Sequence, residues 1–511
     1  MIVDDQSAAM ALLAGMPGPV EVIETHISHV VLAGERAWKM KRAVKLPYVD
    51  FSTPELRLAA CAAEVELNSR TAPGLYLGCH RITEETDGRL ALDGAGRLVD
   101  AVVEMARFDQ DCLLDRMARA GRLTPALVRE TARMIARFHR EAPAARGRGG
   151  SALMAGVLDI NEAGFATSHV FGEAETATLT QAFRAALAGQ AELLDARARE
   201  GRVRRCHGDL HLRNICLIDG TPQLFDCIEF SEDIATIDVL YDLAFLLMDL
   251  WHHGFADLAN LVMNQYLDET GDDEGFALLP FFMAVRAAVR AHVTATQIEE
   301  GGGAEGLTEA ARGYFELAGA LLRPQPPRCV AIAGLSGSGK TTVTEALAAH
   351  LGAPPGARIV ESDRIRKAMH GVPAETRLPA EAYRPEVSDR VYREMERRAA
   401  LVLRQGGAAI AEAVFERPAD RAGIEAVARA AGAPFLGLWL DADAQTLRQR
   451  VESRTGGPSD ATGDILARQL QRRIAYPGWL RVAAGRDVAT TVADILAQLA
   501  ASAGEDAPSG A

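Results

Sequence analysis

The chain has 511 residues and carries 69 acidic against 55 basic side chains, a formal net charge of −14 with a pI near 5.4. That length suggests two or three domains, and 48% hydrophobic with 24% charged residues is the balance of a folded globular chain. An acidic surface repels phosphate backbones, so nucleic acid is disfavoured as a partner and any anion must be captured locally. The opening MIVDDQ is acidic where a secretory signal is basic, and the apolar runs fall short of the roughly 20 residues that span a bilayer. Seven scattered cysteines, none in CxxC spacing, exclude a disulfide scaffold and a Cys-rich zinc site. The expected setting is cytoplasmic, with no membrane partner.

Residues 1 to about 110 read mostly as strands with one helix. ETHISHVVLAG and RAWKMKRAV alternate polar and apolar residues around an AGER turn, which predicts a hairpin. PELRLAACAAEVELNSRTAP has helical spacing, with Pro54 in its first turn and a stop before Pro73. DAVVEMARF, 100–108, is a further strand. From about 112 to 200 the pattern is helical and Ala-rich, broken by a loop at 145–151. Two short strands, near 215–218 and 222–226, follow CHGDLHLRN. Long apolar helices run through DLAFLLMDL and FALLPFFMAVRAAVRAHV, and GGGAEG at 301–306 interrupts them. RPQPPR, with three prolines in six residues, cannot continue a helix, so the linker is placed at 323–328. Beyond it, CVAIAGL, ARIVES, GAAIAEAVF and APFLGLWLD are apolar runs separated by helical stretches, which predicts a parallel sheet of βαβ units. The tail 501–511 is small and polar and is expected to be disordered.

The second half carries a phosphate-binding loop. Gly334, Leu335, Ser336, Gly337, Ser338, Gly339, Lys340 and Thr341 fit GxxxxGK[ST], directly after the strand CVAIAG and before the helix TTVTEALAAH, whose second residue, Thr342, is also expected to face the nucleotide. Glycines let backbone N–H groups turn inward around phosphates, and the helix N-terminus adds partial positive charge. Lys340 is expected to reach the β- and γ-phosphates, and the Thr341 hydroxyl to ligate Mg²⁺. Further on, Asp363 ends ARIVESD with Arg366 one turn later, where a carboxylate orients or deprotonates an acceptor; a helix cap is the structural alternative. Arg448, Arg450 and Arg454 precede a Gly/Ser/Asp loop that is expected to close over the transferring phosphate; a solvated helix face is the alternative.

The first half carries a second set. Of the 55 basic residues only five are Lys, and three of those (Lys39, Lys41, Lys45) fall in one strand region. Lys is a compact point charge, not interchangeable with Arg at a tight phosphate site. His207-Gly-Asp209-Leu-His-Leu-Arg-Asn214 places an Asp five residues before an Asn, with Asp226 twelve further on. A kinase-type site needs a base for the acceptor hydroxyl and two groups for Mg²⁺; Asp209, Asn214 and Asp226 supply them. Lys39 and Glu64 are expected to form the pair that grips the α/β-phosphates, with Lys41 the other lysine open for that role. His207 and His211 at i, i+4 allow a shared metal on a helix, but the segment reads as a loop and lacks the Glu of HExxH. His252 and His253 read as surface and core.

On these residues the second half resembles small P-loop kinases of the gluconate kinase, adenylylsulfate kinase and zeta-toxin type, through GLSGSGKTT, ESDRIRK and the L-x-x-R-x-x-x-R spacing of Leu447, Arg450 and Arg454. Relatives often have Asp where this chain has Glu412. Residues 20–320 resemble the aminoglycoside phosphotransferase branch of the protein-kinase-like fold, through HGDLHxxN, Asp226 and YDLAFLLMDL. Asp238 and Asp242 fall where that family has a carboxylate supporting the catalytic loop. THISHVVLAG stands where the resemblance implies a glycine-rich loop. The whole is similar to bacterial fusions of the two kinds.

The resemblance implies an α+β protein-kinase-like domain over 1–322, a linker, and an α/β P-loop domain with a parallel sheet over 329–500. The implied function is ATP- and Mg²⁺-dependent phosphoryl transfer to hydroxyls of small molecules at both sites. An ATP-binding regulator that transfers nothing is the alternative.

Overall fold

Thr53 and Pro54 start the first long helix where the sequence expects it. The Thr53 hydroxyl accepts from Leu56 N at 3.3 Å, and the helix Pro54–Asn68 ends ahead of Pro73. The computed structural model describes residues 4–25, 27–46, 49–145, 147–299, 306–453, 457–472 and 478–505. Arg454, most of the glycine cluster at 301–306 and residues 506–511 of the tail therefore lie outside the described residues. Residues 501–505, expected to be disordered, instead continue the helix Val488–Glu505.

In the first half, β1 (Val20–Glu24), β2 (Ser28–Ala33) and β3 (Arg36–Lys41) form an antiparallel run, β2 and β3 turning at Gly34-Glu35. The short β4 (Lys45–Leu46) and β5 (Val49–Asp50) pair with each other. Next come β6 (Tyr76–Glu84), β7 (Leu90–Leu92) and β8 (Arg97–Ala106), completing a six-stranded sheet of order β1-β2-β3-β8-β6-β7. The helix Pro54–Asn68 packs on β8 and β6, burying Ala60, Cys61 and Glu64. A second helix, Ser7–Ala14, stands where the sequence assigned no element; its eight residues, Leu13 buried, are too few to show a period. The strand β9 (Val203–Arg205) pairs with β12 (Thr236–Asp238), and β10 (Ile215–Ile218) with β11 (Thr221–Leu224). Asp219 and Gly220 turn the latter hairpin with φ of 50° and 75°, the left-handed pair such a two-residue turn needs. These two ladders leave residues 206–214 as a loop between β9 and β10.

In the second half five strands are parallel: β13 (Arg328–Gly334), β14 (Arg358–Glu361), β15 (Ala408–Glu412), β16 (Phe435–Asp441) and β17 (Leu480–Ala483). Their order is β14-β15-β13-β16-β17. The first four match the apolar runs of the sequence; β17, four residues with only Val482 buried, was not expected there. Val330, Ile332, Leu347, Ile410, Leu438 and Ile495 fill its core. This is the expected architecture: a kinase-like α+β fold followed by an α/β P-loop fold.

By contacts the chain divides into two compact units, 1–157 with 187–249, and 158–186 with 250–511. The helices Ala256–Thr270, Leu279–Glu299 and Leu307–Leu321 thus group with the parallel sheet. One helical stretch, Asp273–Glu299, is long and apolar enough to cross a membrane by length and composition, contrary to the sequence expectation. Arg286 and Arg290 interrupt the run in sequence without lowering its average enough, and most of it is buried in the protein.

Within the first unit, Arg197 closes on Asp238 through two bonds of 2.8 Å, both side chains almost fully buried. Removing one member strands a buried charge. Asp238→Ala is expected to cost the first unit about 3–5 kcal/mol, read as an earlier urea midpoint; an unchanged midpoint contradicts it.

Candidate functional site

Strand β3 carries Lys39 and Lys41 two residues apart, so both point to one side of the sheet, toward the helix Pro54–Asn68. Glu64, fully buried on that helix, takes both: Lys39 Nζ lies 2.7 Å from its Oε1, and Lys41 bonds its Oε2. The choice between the lysines dissolves, since each also holds a second acid: Lys39 bonds Asp226 and Lys41 bonds Glu229. Burial alone raises a carboxyl pKa, but the two ammonium groups outweigh it and hold Glu64 down at about 2. Lys39 shows the converse. Burial opposes its charge, yet Asp226 and Glu64 keep its pKa well above the usual lysine value.

Asp226 follows β11 in the left-handed region, φ 62°, its N–H donating to Tyr76 Oη at 3.1 Å. Such backbone strain persists only where surroundings over-determine it. Its neighbours Phe225 and Ile228 bracket His207: His207 Nε2 faces Phe225 O at 2.9 Å, and Ile228 N donates to His207 O at 2.9 Å. His207 Nδ1 accepts from Asp209 N at 3.3 Å, so the ring carries its proton on Nε2, and burial lowers its pKa and keeps it neutral. His211 likewise accepts from Arg213 N at 3.2 Å and sets Nε2 3.3 Å from Asp209 Oδ2. The two imidazoles brace the loop.

Asp209 is held by Asn214, whose Nδ2 donates to Asp209 Oδ2 at 2.8 Å and to its carbonyl at 2.9 Å. That leaves the Asn214 amide oxygen, which with the Asp226 carboxylate makes an oxygen donor set of the kind a hard divalent cation takes. From behind, the buried Asp242 accepts from His207 N at 3.1 Å and Gly208 N at 2.9 Å, and His139 Nε2 lies 3.0 Å away. Asp249 accepts from Leu212 N at 3.0 Å. Of the two acids expected to support the loop, Asp242 does so; Asp238 serves Arg197. Glu229, Asp249, His139 and Tyr76 carried no sequence signal, because their partners lie far along the chain.

In the second half the loop 334–339 joins β13 to the helix Lys340–Ala348. Gly337 and Gly339 have φ of 85° and 87°, and a Cβ on Gly337 would lie 2.7 Å from Leu447 O. Lys340 Nζ donates to Gly334 O at 3.0 Å and Leu335 O at 3.3 Å, and Ser336 N donates to Gln469 Oε1 at 3.0 Å. Thr341 Oγ1 donates to Glu412 Oε1 at 2.9 Å, so the Glu that replaces the usual Asp does reach the phosphate-loop hydroxyl. This hydroxyl–carboxylate pair also fits a hard cation. Thr342 is exposed on the first helical turn. Arg450 sets Nη1 3.7 Å from where a Gly339 Cβ would stand.

Asp363 does not end a strand as expected. β14 stops at Glu361, and Asp363 sits in the first turn of the helix Ser362–Met369, which has no side-chain cap. Burial raises its pKa, opposed by the nearby positive charges of Lys340 and Arg366. Arg366 lies over the Tyr383 ring at 4.7 Å and donates to Ala382 O at 2.7 Å. Asp460, in the loop after the arginine helix, accepts from Lys367 at 2.6 Å and Leu378 N at 2.9 Å.

Two outcomes follow. Glu64 stays ionised in the fold down to about 2, whereas an unfolded Glu protonates near 4.5. Its contribution is therefore complete above about pH 4.5 and is lost as pH falls toward 2, roughly 3 kcal/mol in all. Glu64→Gln should flatten acid unfolding across that window; an unaltered acid limb contradicts the pairing. Second, a Cβ on Gly334 would lie 2.5 Å from Ser338 Oγ and 2.8 Å from Leu440 O. Gly334→Ala should therefore distort the loop and abolish nucleotide binding in the second half, as titration with a fluorescent ATP analogue would read.

Residues 103–279 match the family described as "Phosphotransferase enzyme family", and residues 330–475 the one described as "AAA domain". Uncharacterized proteins of Mycobacterium tuberculosis and Mycobacterium bovis are 30% identical over 463 residues, covering 89% of this chain and 90% of theirs. Among solved structures, a choline/ethanolamine kinase family protein from Mesorhizobium loti is 17% identical with a TM-score of 0.41, over 62% of this chain and 92% of that one. A gluconokinase from Sinorhizobium meliloti is 23% identical with a TM-score of 0.26, over 36% and 97%. Along nearly its whole length, the chain belongs to the family of these mycobacterial proteins, and it joins a phosphotransferase-family domain to a P-loop kinase-like domain.

Proposed function

We propose that the protein is a cytoplasmic phosphotransferase that uses ATP and Mg²⁺ in both halves and moves the γ-phosphate to hydroxyls of small molecules. The observation that carries this reading is the group in the first half: Lys39 held between Glu64 and Asp226, with Asp209 fixed by Asn214. Asp209 accepts the proton of the acceptor hydroxyl as its oxygen bonds to the γ-phosphorus, and the bond to the ADP oxygen breaks in line. Lys39 fixes the α/β-phosphates, and Glu64 fixes Lys39. Asn214 and Asp226 hold Mg²⁺, which when bound neutralises charge on the β- and γ-oxygens. Seven free cysteines suit a reducing compartment.

In the second half, the phosphate-loop amides and Lys340 take the phosphates, while Thr341 with Glu412 holds the metal. Asp363, whose raised pKa suits proton exchange, orients the acceptor, and Arg450 with Arg454 offsets developing charge. A second reading has one specific support. The β1–β2 connection, Thr25-His26-Ile27, has no glycine, although His26 lies outside the described residues. That supports a first half that serves as a regulator and does not transfer phosphate.

The test uses γ-labelled ATP, a small-molecule extract of the source cells, and the intact protein beside Asp209→Ala and Lys340→Ala. The proposal expects label in a metabolite, lost in one variant or reduced in each. ATP binding with no label moved by any form overturns it and leaves the regulator.

A further inference from the structure

The edge strand β14 is not bare. The helix Ala256–Thr270, from the region that precedes the linker in sequence, covers it with side chains four residues apart. Asn264 Nδ2 donates to Ala357 O at 3.1 Å, and its Oδ1 accepts from Ile359 N at 2.8 Å. One side-chain amide thus does what a neighbouring strand would do. Asn260 donates to Pro355 O at 2.9 Å and Ala357 O at 3.0 Å. Arg358, fully buried on β14, bonds Asp268 and Asp273 at 2.7 Å each.

Asp268 then reaches further. Its other oxygen lies 3.4 Å from Arg364 Nη1, and Arg364 Nε holds Glu361 Oε2 at 2.9 Å. Glu361 ends β14 as the register partner of Glu412 on β15, so the two carboxylates share a face of the sheet. Both are buried, so neither side chain has open water to turn to. Glu412 in turn takes the Thr341 hydroxyl. Three side-chain contacts and one ladder pairing therefore lead from a helix outside the P-loop sequence to the residue that follows Lys340.

We propose that Asp268 and Arg364 are positioning residues for the phosphate-loop site: through the 2.9 Å contact of Arg364 with Glu361 they pin that side chain at the end of β14, and so keep its ladder partner Glu412 turned to Thr341 and a divalent cation. The inference rests on the reading of the second half as a nucleotide·Mg²⁺ site. Without Arg364, the Glu361 side chain is no longer held in place beside Glu412 and can turn into its position, and the cation loses an oxygen ligand.

The test titrates Mg²⁺ into the full chain with a fluorescent ATP analogue, and repeats the nucleotide titration in EDTA. Carrying Asp209→Ala and Asp226→Ala throughout confines the metal signal to the second half. Arg364→Gln is expected to raise the Mg²⁺ concentration for half-maximal binding by about tenfold, with metal-free binding unchanged. Arg364→Lys, which keeps the charge between Glu361 and Asp268, should fall nearer the unsubstituted chain. Asn260→Ala removes its bonds to Pro355 and Ala357 and the one it accepts from Asn264, but leaves Asp268, Arg364 and Glu361 in place; it should lower the melting temperature and leave the Mg²⁺ requirement alone. An unchanged requirement in Arg364→Gln overturns the inference, and so does an equal rise in Asn260→Ala, which would make the coupling one of stability. Lys340→Ala tells the two failures apart: if it leaves binding intact, it is the nucleotide reading that fails.

Discussion

Glu64 is taken wholly out of water, and a carboxylate there is tolerable only if its charge is met at close range. Lys39 and Lys41 meet it, and the consequence spreads. A helix, a central strand and the loop after β11 are tied together, because each lysine carries a second acid from that loop, Asp226 or Glu229. A shift of the helix would unpair several buried charges at once. The same rule shapes the second half, where Arg358 is as deeply buried as Glu64 and is met by Asp268 and Asp273. In each case the ion pair fixes which element lies against which.

The loops that carry the chemistry are fixed by a different device, main-chain amides donating to side-chain oxygens. Asp242 and Asp249 take the N–H groups of His207, Gly208 and Leu212; Gln469 takes that of Ser336. These bonds leave Asp209 half-exposed while denying its loop freedom. Preorganisation of this kind matters for phosphoryl transfer, where catalysis is mostly positioning and charge stabilisation.

The phosphate loop was legible in the sequence because its requirement is local: glycines at fixed spacing, a strand before and a helix after. Asp209, Asn214 and Asp226 were legible for a similar reason, since one hairpin separates them. Glu229, Tyr76 and Asp268 were not, because each meets its partner across long stretches of chain and looks like an ordinary residue until the fold closes. Prolines at 323–328 break the helical pattern, but the compact units divide at 249–250 instead, and the prolines do not say which sheet the preceding helices cover. That is decided by Asn260 and Asn264, two amides on one helix face. The apolar stretch 273–299 shows the converse, a composition that passes for a membrane span in a helix whose place is largely the interior.

The central claim is that one chain holds two separate nucleotide sites. Calorimetric titration of the intact protein with a non-hydrolysable ATP analogue and Mg²⁺ tests it most directly. The account predicts two binding events, one removed by Lys340→Ala and the other by Lys39→Ala. A single event, or two that vanish together with either substitution, would contradict it.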